Sequence, residues 1–262
     1  AGIFMITRLN FLFDLTPDVQ SIIAIVGAVT ALVAATIGLV QNDIKKVLAY
    51  STVSQLGLMF LALGLGAYEV AVFHVITHAF FKACLFLGSG SVIHALGGEQ
   101  DMRNMGGLKK AMPITFATML IASLAISGVP LFSGFFSKDE ILLVAFHQNI
   151  PLWFVASVAS IMTAFYMFRL MFLTFFKEFR GSAEQKHHLH ESPSLITIPL
   201  IVLAILATIG GLISLPGNSW LNEFLTPILP KLASAKHHLG TTEYILMAIA
   251  VVGGLVGISI AY

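Results

Sequence analysis

Three side chains that can bind protons stand four residues apart in one apolar stretch: His74, His78 and Lys82. Residues four apart on a helix share a face, with Cβ atoms about 5–6 Å apart, so one water molecule can link successive groups. Histidine titrates near neutral pH, and burial disfavours the charged form of lysine. This spacing indicates a path for protons. The alternative is structural, with the histidines satisfying backbone carbonyls and Lys82 holding helices together.

The stretch that carries these residues, 69–95, is long enough to form a membrane helix of roughly 40 Å. A lysine near the centre of a bilayer costs about 2.5–3.5 kcal/mol on insertion scales, which favours a functional role for Lys82. A metal site is a weaker interpretation, because no Cys, Asp or Glu completes a ligand set with the two histidines.

A second lysine, Lys138, follows a segment that should interrupt a helix. Residues 127–134 contain two glycines and a proline, and a broken backbone at bilayer depth is tolerated only against protein or a water-filled cavity. The next helix is predicted to begin with a capping box, with Ser137 as N-cap and Glu140 at N3. Lys138 would then lie in the first turn, where the helix dipole disfavours an ammonium and Asp139 favours it. We expect a lysine whose charge is easily switched; the alternative is a kinked helix with an interfacial Lys138–Asp139 pair.

The composition places these residues in a membrane protein. Hydrophobic residues make up 57% of the chain and charged residues 10%, against about 25% charged in a typical soluble domain. We predict an all-α polytopic membrane protein with about seven transmembrane helices and a partial one, one helix being discontinuous. The predicted spans lie near 20–40, 47–66, 69–95, 113–147, 151–176, 195–215 and 243–261. No polybasic arm of the nucleic-acid-binding type is present, so no nucleic-acid partner is expected.

Lysine and arginine concentrate on one side of these spans, in the loops 41–46, 97–112 and 177–194. By the positive-inside rule this side is predicted to be cytoplasmic. The opposite side carries only Lys231 and Lys236. In isolation, Lys45 and Lys46 would be an ordinary anchor of the positive-inside kind.

Three sequence strings carry a family resemblance: NDIKKVLAYSTVSQLG at 42–57, FHVITHAFFKA at 73–83 and GFFSKDEI at 134–141. Together they resemble the antiporter-like membrane subunits of proton-translocating NADH:quinone oxidoreductase (respiratory complex I), of the subunit L type. The large subunit of Mrp-type sodium/proton antiporters is similar and carries the same lysine after Gly-Phe-Phe-Ser. The resemblance covers essentially the whole chain.

The resemblance implies a proton relay made of Lys82, Lys138, His74, His78, Asp139, Lys45 and Asp43. In this family the match to Lys82 is the central lysine of a half-channel, and the match to Lys138 is the lysine of the broken helix. His74 and His78 fall on the histidines that relay protons between the central water chain and neighbouring groups. Lys45 and Asp43 fall on a charged pair near the cytoplasmic mouth.

The family fold consists of two inverted five-helix repeats, each with one broken helix. The resemblance implies that 19–177 is the second repeat and that 195–262 adds two transmembrane helices. Residues 1–13 would be the end of a truncated preceding helix. The chain begins with Ala1 and without a signal segment, and we expect it to be a piece of a larger protein.

The implied function is proton translocation coupled to quinone reduction elsewhere in a complex; the alternative is an Mrp-type antiporter. No cofactor is expected in this chain, whereas NAD, FMN, iron–sulfur clusters and quinone would be bound by other subunits. The expected partners are the other membrane and peripheral subunits of complex I, the lipid bilayer, protons and water. The expected location is a bacterial inner membrane.

Overall fold

Helices make up most of the chain in the computed structural model, which describes residues 1–215, 218–229 and 240–262. In chain order they are α1 (Gly2–Arg8), α2 (Asn10–Phe13), α3 (Pro17–Val40), α4 (Ile44–Gly64), α5 (Tyr68–Ala95), α6 (Pro113–Ser127), α7 (Ser133–Gln148), α8 (Ile150–Phe175), α9 (Ala183–His188), α10 (Ser194–Ile209), α11 (Trp220–Leu225) and α12 (Thr241–Ala261). Two short strands, β1 (Ser214–Leu215) and β2 (Asn218–Ser219), pair antiparallel with Ser214 opposite Ser219. Lys231 and Lys236 lie outside the described residues.

Six of the described helices are long and apolar enough to cross a membrane: α3, α4, α5, α8, α10 with the 3-10 turn after it, and α12. A seventh crossing is shared by α6 and α7. Large apolar side chains stand exposed on the outer faces, such as Val29 on α3 and Val252 on α12, as contact with lipid requires. The prediction of an all-α polytopic membrane protein with about seven spans, one of them discontinuous, is confirmed.

Helices α3 and α4 pack backbone against backbone because glycine stands at their closest approach. A Cβ on Gly27 would lie 2.4 Å from the backbone nitrogen of Leu61, and a Cβ on Gly57 would lie 2.5 Å from that of Ala31. Small residues are the usual means by which membrane helices approach this closely. One face of α4 is thereby fixed against α3, and its other faces contact α5, α7 and α8.

Two segments differ in detail from the predicted spans. Residues 1–13 form two short helices rather than one helix end, because Asn10 donates its side-chain amide to the carbonyl of Thr7 at the junction, a local bond that competes with the helical ladder. The predicted span 195–215 is helical only to Ile209 and continues as a 3-10 turn. The division into an inverted repeat, 19–177, stays a prediction.

Candidate functional site

The interrupted crossing positions the central part of the site. Helix α6 ends at Ser127, and Gly128 follows in the left-handed conformation with φ 75°. Glycine adopts this conformation without the steric cost that other residues meet. Helix α7 then begins at Ser133. The predicted break within 127–134 is confirmed.

The other end of α6 is held by a carboxylate from a distant loop. Glu191 accepts hydrogen bonds from the backbone N–H groups of Ile114 and Thr115, at 2.7 and 3.1 Å, and from the Thr115 hydroxyl at 2.6 Å. A carboxylate at a helix N-terminus satisfies free N–H groups and is favoured by the helix dipole. Helix α6 is therefore anchored at its start, and its free end points into the break.

The predicted capping box at Ser137 and Glu140 is wrong. Helix α7 starts at Ser133, with Phe132 as its N-cap and no side-chain cap. Ser137 lies inside the helix, where its buried hydroxyl contacts His74 at 2.9 Å and Thr77 at 2.8 Å on helix α5. These contacts between helices take the hydroxyl away from a capping role.

Lys138 consequently lies beyond the first turn of α7, and its charge faces the end of α6. Its side chain is 3% exposed, and Nζ donates to the carbonyl of Ile126 at 3.2 Å. The last carbonyls of a helix lack partners within the helix and mark the negative end of its dipole, which stabilises a cation. The dipole of α6 thus favours the ammonium, whereas the sequence-based argument had the dipole of α7 opposing it.

Asp139 is a neighbour of Lys138 in sequence but not its direct partner. Among the described residues no salt bridge joins the two side chains. The Oδ2 atom of Asp139 is buried without a hydrogen-bond partner. A buried, unsatisfied carboxylate oxygen is costly, so this atom is a natural acceptor for a water molecule or a proton.

Lys82 is buried at the other end of the site. Its side chain is 5% exposed, and Nζ donates to the carbonyl of Leu48 on α4 at 2.9 Å. The same carbonyl accepts the hydroxyl of Thr52 at 2.9 Å. The ring of Phe86 lies 5.7 Å from Nζ and offers a cation–π contact.

The two histidines lie between the lysines, in different environments. His74 is fully buried, and its Nδ1 lies 2.9 Å from the hydroxyl of Ser137 while Nε2 lies 3.1 Å from Oε1 of Gln55. The ring of His78 is 6.2 Å from that of His74, centre to centre, and its Nε2 is buried without a partner. Among the described residues no direct hydrogen bond links His74, His78 and Lys82 to one another, so water must complete any relay between them.

A polar network behind His74 was missed by the sequence analysis. Gln55 Nε2 donates to Thr163 Oγ1 at 3.4 Å, and the Tyr166 hydroxyl lies 3.2 Å from Thr163 Oγ1 and 3.1 Å from Ser51 Oγ. All of these side chains are buried. Polar residues inside membrane spans are themselves a signal of function or of helix contacts, and Gln55 and Ser51 stand within the string at 42–57.

Asp43 and Lys45 lie at the start of α4, apart from the buried groups. Asp43 caps the helix, accepting the backbone N–H of Lys45 at 2.8 Å and of Lys46 at 3.1 Å, while the side chain of Lys45 is exposed. Leu48, which binds Lys82, is five residues further along, about 7.5 Å of helix. Lys82 therefore reaches towards the end of α4 that carries Asp43.

The loop opposite Asp43 holds an ion pair outside the membrane-spanning helices. Asp101 forms a backbone bridge with Asp43, and its carboxylate binds the guanidinium of Arg103 at 2.6 Å. Arg103 holds the pKa of the Asp101 carboxyl below its usual value, chiefly by this hydrogen bond. In the part of the chain that the structure describes, no three His, Cys, Asp or Glu side chains lie together as a metal site would require.

Comparisons with known proteins agree on one kind of membrane subunit. A protein-family model described as NADH:quinone oxidoreductase/Mrp antiporter, TM, matches residues 1–164. Chain 5 of the NAD(P)H-quinone oxidoreductase of Picosynechococcus sp. is 46% identical over all of this chain and 43% of its own length. Subunit L of the NADH-quinone oxidoreductase of Rhodobacter capsulatus is 51% identical over 81% of this chain and 32% of its own.

A solved structure shares the fold. The structure of the Mrp complex from Dietzia sp. contains a chain that superposes with a TM-score of 0.76 at 24% identity, over 99% of this chain and 29% of that one. The chain therefore spans less than half the length of each of these three relatives.

Proposed function

Because the chain belongs to the NADH:quinone oxidoreductase/Mrp antiporter membrane family, we propose that it translocates protons as part of subunit L of a NADH:quinone oxidoreductase. The observation that carries this proposal is the line of ionisable side chains from Lys82 through His78 and His74 to Lys138, in which His78 is half-buried and the other three are buried. Burying two lysines inside membrane helices is costly, and such residues usually mark ion pathways.

The positions of the two lysines suggest the direction of the path. Lys82 binds a carbonyl near the start of α4, close to the charged loops that hold Asp43 and Arg103. Lys138 binds the carbonyl of Ile126 at the break between α6 and α7. Protons would enter from the loop side at Lys82 and pass through water and the two histidines to Lys138, with Asp139 beside it as a further acceptor.

Electron transfer would take place in other subunits. In this proposal NAD, FMN, iron–sulfur clusters and quinone are bound elsewhere in the complex, and this chain supplies a path for protons only. Its partners would be the other membrane and peripheral subunits of complex I, together with the lipid bilayer. We place it in a bacterial inner membrane, with the loops 41–46, 97–112 and 177–194 in the cytoplasm by the positive-inside rule.

The second candidate is the large subunit of an Mrp-type sodium/proton antiporter, favoured by the shared fold of the Dietzia Mrp structure. The relatives at 46–51% identity, which carry NADH- or NAD(P)H-quinone oxidoreductase names, favour the first candidate. The two differ in what drives proton movement. NADH oxidation drives it in the first, and a sodium gradient drives it in the second.

The test uses the full-length subunit in sealed membrane vesicles. NADH should acidify the vesicle interior, and Lys82→Ala should remove most of this pumping while the complex still assembles, because a buried lysine is kept at a structural cost. Lys110→Ala, an exposed lysine, is the control and should pump normally. Unchanged pumping in Lys82→Ala would refute the proposed path, and proton movement driven by sodium without NADH would support the antiporter.

A further inference from the structure

Thr163 determines which groups donate and which accept in the hydrogen-bond network behind His74. The single hydroxyl proton of Thr163 is donated to the carbonyl of Ala159 at 2.8 Å, inside helix α8. Towards Gln55 and Tyr166 the oxygen of Thr163 can therefore only accept. The Tyr166 hydroxyl has its own proton to offer and a second partner in Ser51 at 3.1 Å.

This direction fixes the amide of Gln55. Because Thr163 accepts, the group of Gln55 that faces it must be the amide nitrogen, at 3.4 Å. The amide oxygen then faces His74 Nε2, at 3.1 Å. The opposite orientation would place two acceptors, the amide oxygen of Gln55 and the hydroxyl oxygen of Thr163, against each other, and buried polar groups without partners are costly. The orientation follows from the hydrogen-bond network, which is how amide groups are assigned.

The amide oxygen in turn fixes the tautomer of His74. A carbonyl oxygen can only accept, so Nε2 of His74 must carry a proton to make this bond. In the neutral ring Nδ1 is then the free base, and it accepts the hydroxyl of Ser137 at 2.9 Å, which is a shorter contact than the one of that hydroxyl with the carbonyl of Ser133 at 3.4 Å. Ser137 is adjacent to Lys138 in α7 and also contacts Thr77 at 2.8 Å.

We propose that Gln55, held in one orientation by Thr163, fixes His74 as the tautomer protonated on Nε2, so that His74 takes up and releases a second proton only at Nδ1. The proton that enters at Nδ1 is the one that leaves, and the Nε2 proton stays throughout. Gln55 and Thr163 are thus positioning residues, and the side of His74 that faces α4 and α8 is closed to proton transfer. This inference rests on the proposed proton-translocating function, in which His74 is a relay group.

The arrangement has a use in a relay. A histidine that could exchange protons through both nitrogens would also pass them to the Gln55 side, where Thr163, Tyr166 and Ser51 form a further line of hydroxyls. Holding the Nε2 proton in a bond to an amide oxygen removes that route. The exchangeable proton is confined to the side of His74 that faces Ser137, next to Lys138.

The experiment reads the tautomer directly. Nitrogen-15 NMR of the full-length subunit in its membrane complex, labelled on histidine and compared with a His74→Gln sample, gives the signals of His74. Wild type should show the proton on Nε2. Thr163→Val removes the acceptor that orients Gln55, and it should give a mixture of tautomers and lower pumping by about five- to tenfold, the effect of one buried hydrogen bond. Thr163→Ser keeps the hydroxyl and should therefore show the single Nε2 tautomer and normal pumping.

A matched control and a second variant keep the test decisive. Among the described residues the Thr208 hydroxyl binds only the carbonyl of Ala204 in its own helix, so Thr208→Val should change neither the His74 signals nor pumping. Gln55→Leu is a change on α4 instead of α8, and it removes the acceptor of His74 Nε2 directly. It should also populate the tautomer protonated on Nδ1, and it provides the test if the Thr163→Val complex does not assemble.

Two results would overturn the inference: a wild-type ring with its proton on Nδ1, or an unmixed Nε2 tautomer in both Thr163→Val and Gln55→Leu. Neither depends on pumping. Normal pumping by Lys82→Ala would instead overturn the proposed function, so the two failures are distinguishable.

Discussion

The two buried lysines differ in what holds their charge. Lys138 donates to Ile126, a carbonyl at the free end of α6, where the helix dipole favours a cation. Lys82 donates to Leu48, a carbonyl inside the unbroken helix α4 that already accepts the hydroxyl of Thr52. Both lysines are buried to a similar degree, but Lys138 has an acceptor at a free helix end, whereas Lys82 shares its acceptor with Thr52.

The difference shows what the break in the helix contributes. A continuous helix would use one lone pair of the Ile126 carbonyl in its own ladder, and Lys138 would then share its acceptor as Lys82 shares the carbonyl of Leu48. Interrupting the helix at Gly128 creates a fixed site for positive charge within the crossing that α6 and α7 share. Lys82 lacks such a site, so its ammonium depends more on water and on charges that arrive and leave.

The largest effect is expected from a substitution that keeps the positive charge at position 138 but prevents the side chain from losing its proton. Lys138→Arg keeps a cation that can still bind the carbonyl of Ile126, but guanidinium does not lose its proton in proteins. We expect NADH-driven pumping in vesicles to fall to background while the complex assembles. Lys110→Arg is the control at an exposed position. Full pumping by Lys138→Arg would leave Lys138 as a structural bond between α6 and α7.

A smaller but still large effect should follow from moving α7 away from α6. A Cβ on Gly134 would lie 2.0 Å from the carbonyl oxygen of Ala125, and overpacking of this kind typically costs about 1–3 kcal/mol or more. Gly134→Ala should therefore lower the melting temperature and reduce pumping about tenfold, because Lys138 loses its acceptor. Gly90→Ala meets no atom within 4 Å and should have no such effect. Equal behaviour of the two variants would show that the close approach of α7 and α6 is not needed.

The sequence alone predicted the parts of this site that depend on local patterns. Gly128 and Pro130 are local signals of a break, and the spacing of His74, His78 and Lys82 follows from helical periodicity. It failed at Ser137, which has the pattern of a helix cap but binds His74 on another helix. The preference of one hydroxyl for a local or a distant partner is decided by packing, which no local pattern records.

The same limit applies to the partners of the relay residues. Gln55 and Thr163 are 108 positions apart in the chain, and the acceptors of the two lysines, Leu48 and Ile126, are backbone carbonyls that any residue type supplies. Polar residues within apolar spans could have been noted as candidates. Their pairing could not, because it depends on how α4, α5, α7 and α8 pack together.

The smallest effect is expected from a substitution that makes the hydrogen-bond acceptor of Lys82 more like that of Lys138. Thr52→Val removes the side-chain hydroxyl that donates to the carbonyl of Leu48, so that only the helical backbone bond still shares this acceptor with Lys82. A stronger bond to the ammonium should slow its deprotonation, and we expect pumping to fall about two- to fivefold, the effect of a modest change in one hydrogen bond. Thr36→Val is the matched control, since the Thr36 hydroxyl binds the carbonyl of Val33 on the exposed face of α3. A faster rate in Thr52→Val alone would mean that the shared carbonyl restrains Lys82 rather than freeing it, and the contrast between the lysines would have to be sought in water access instead.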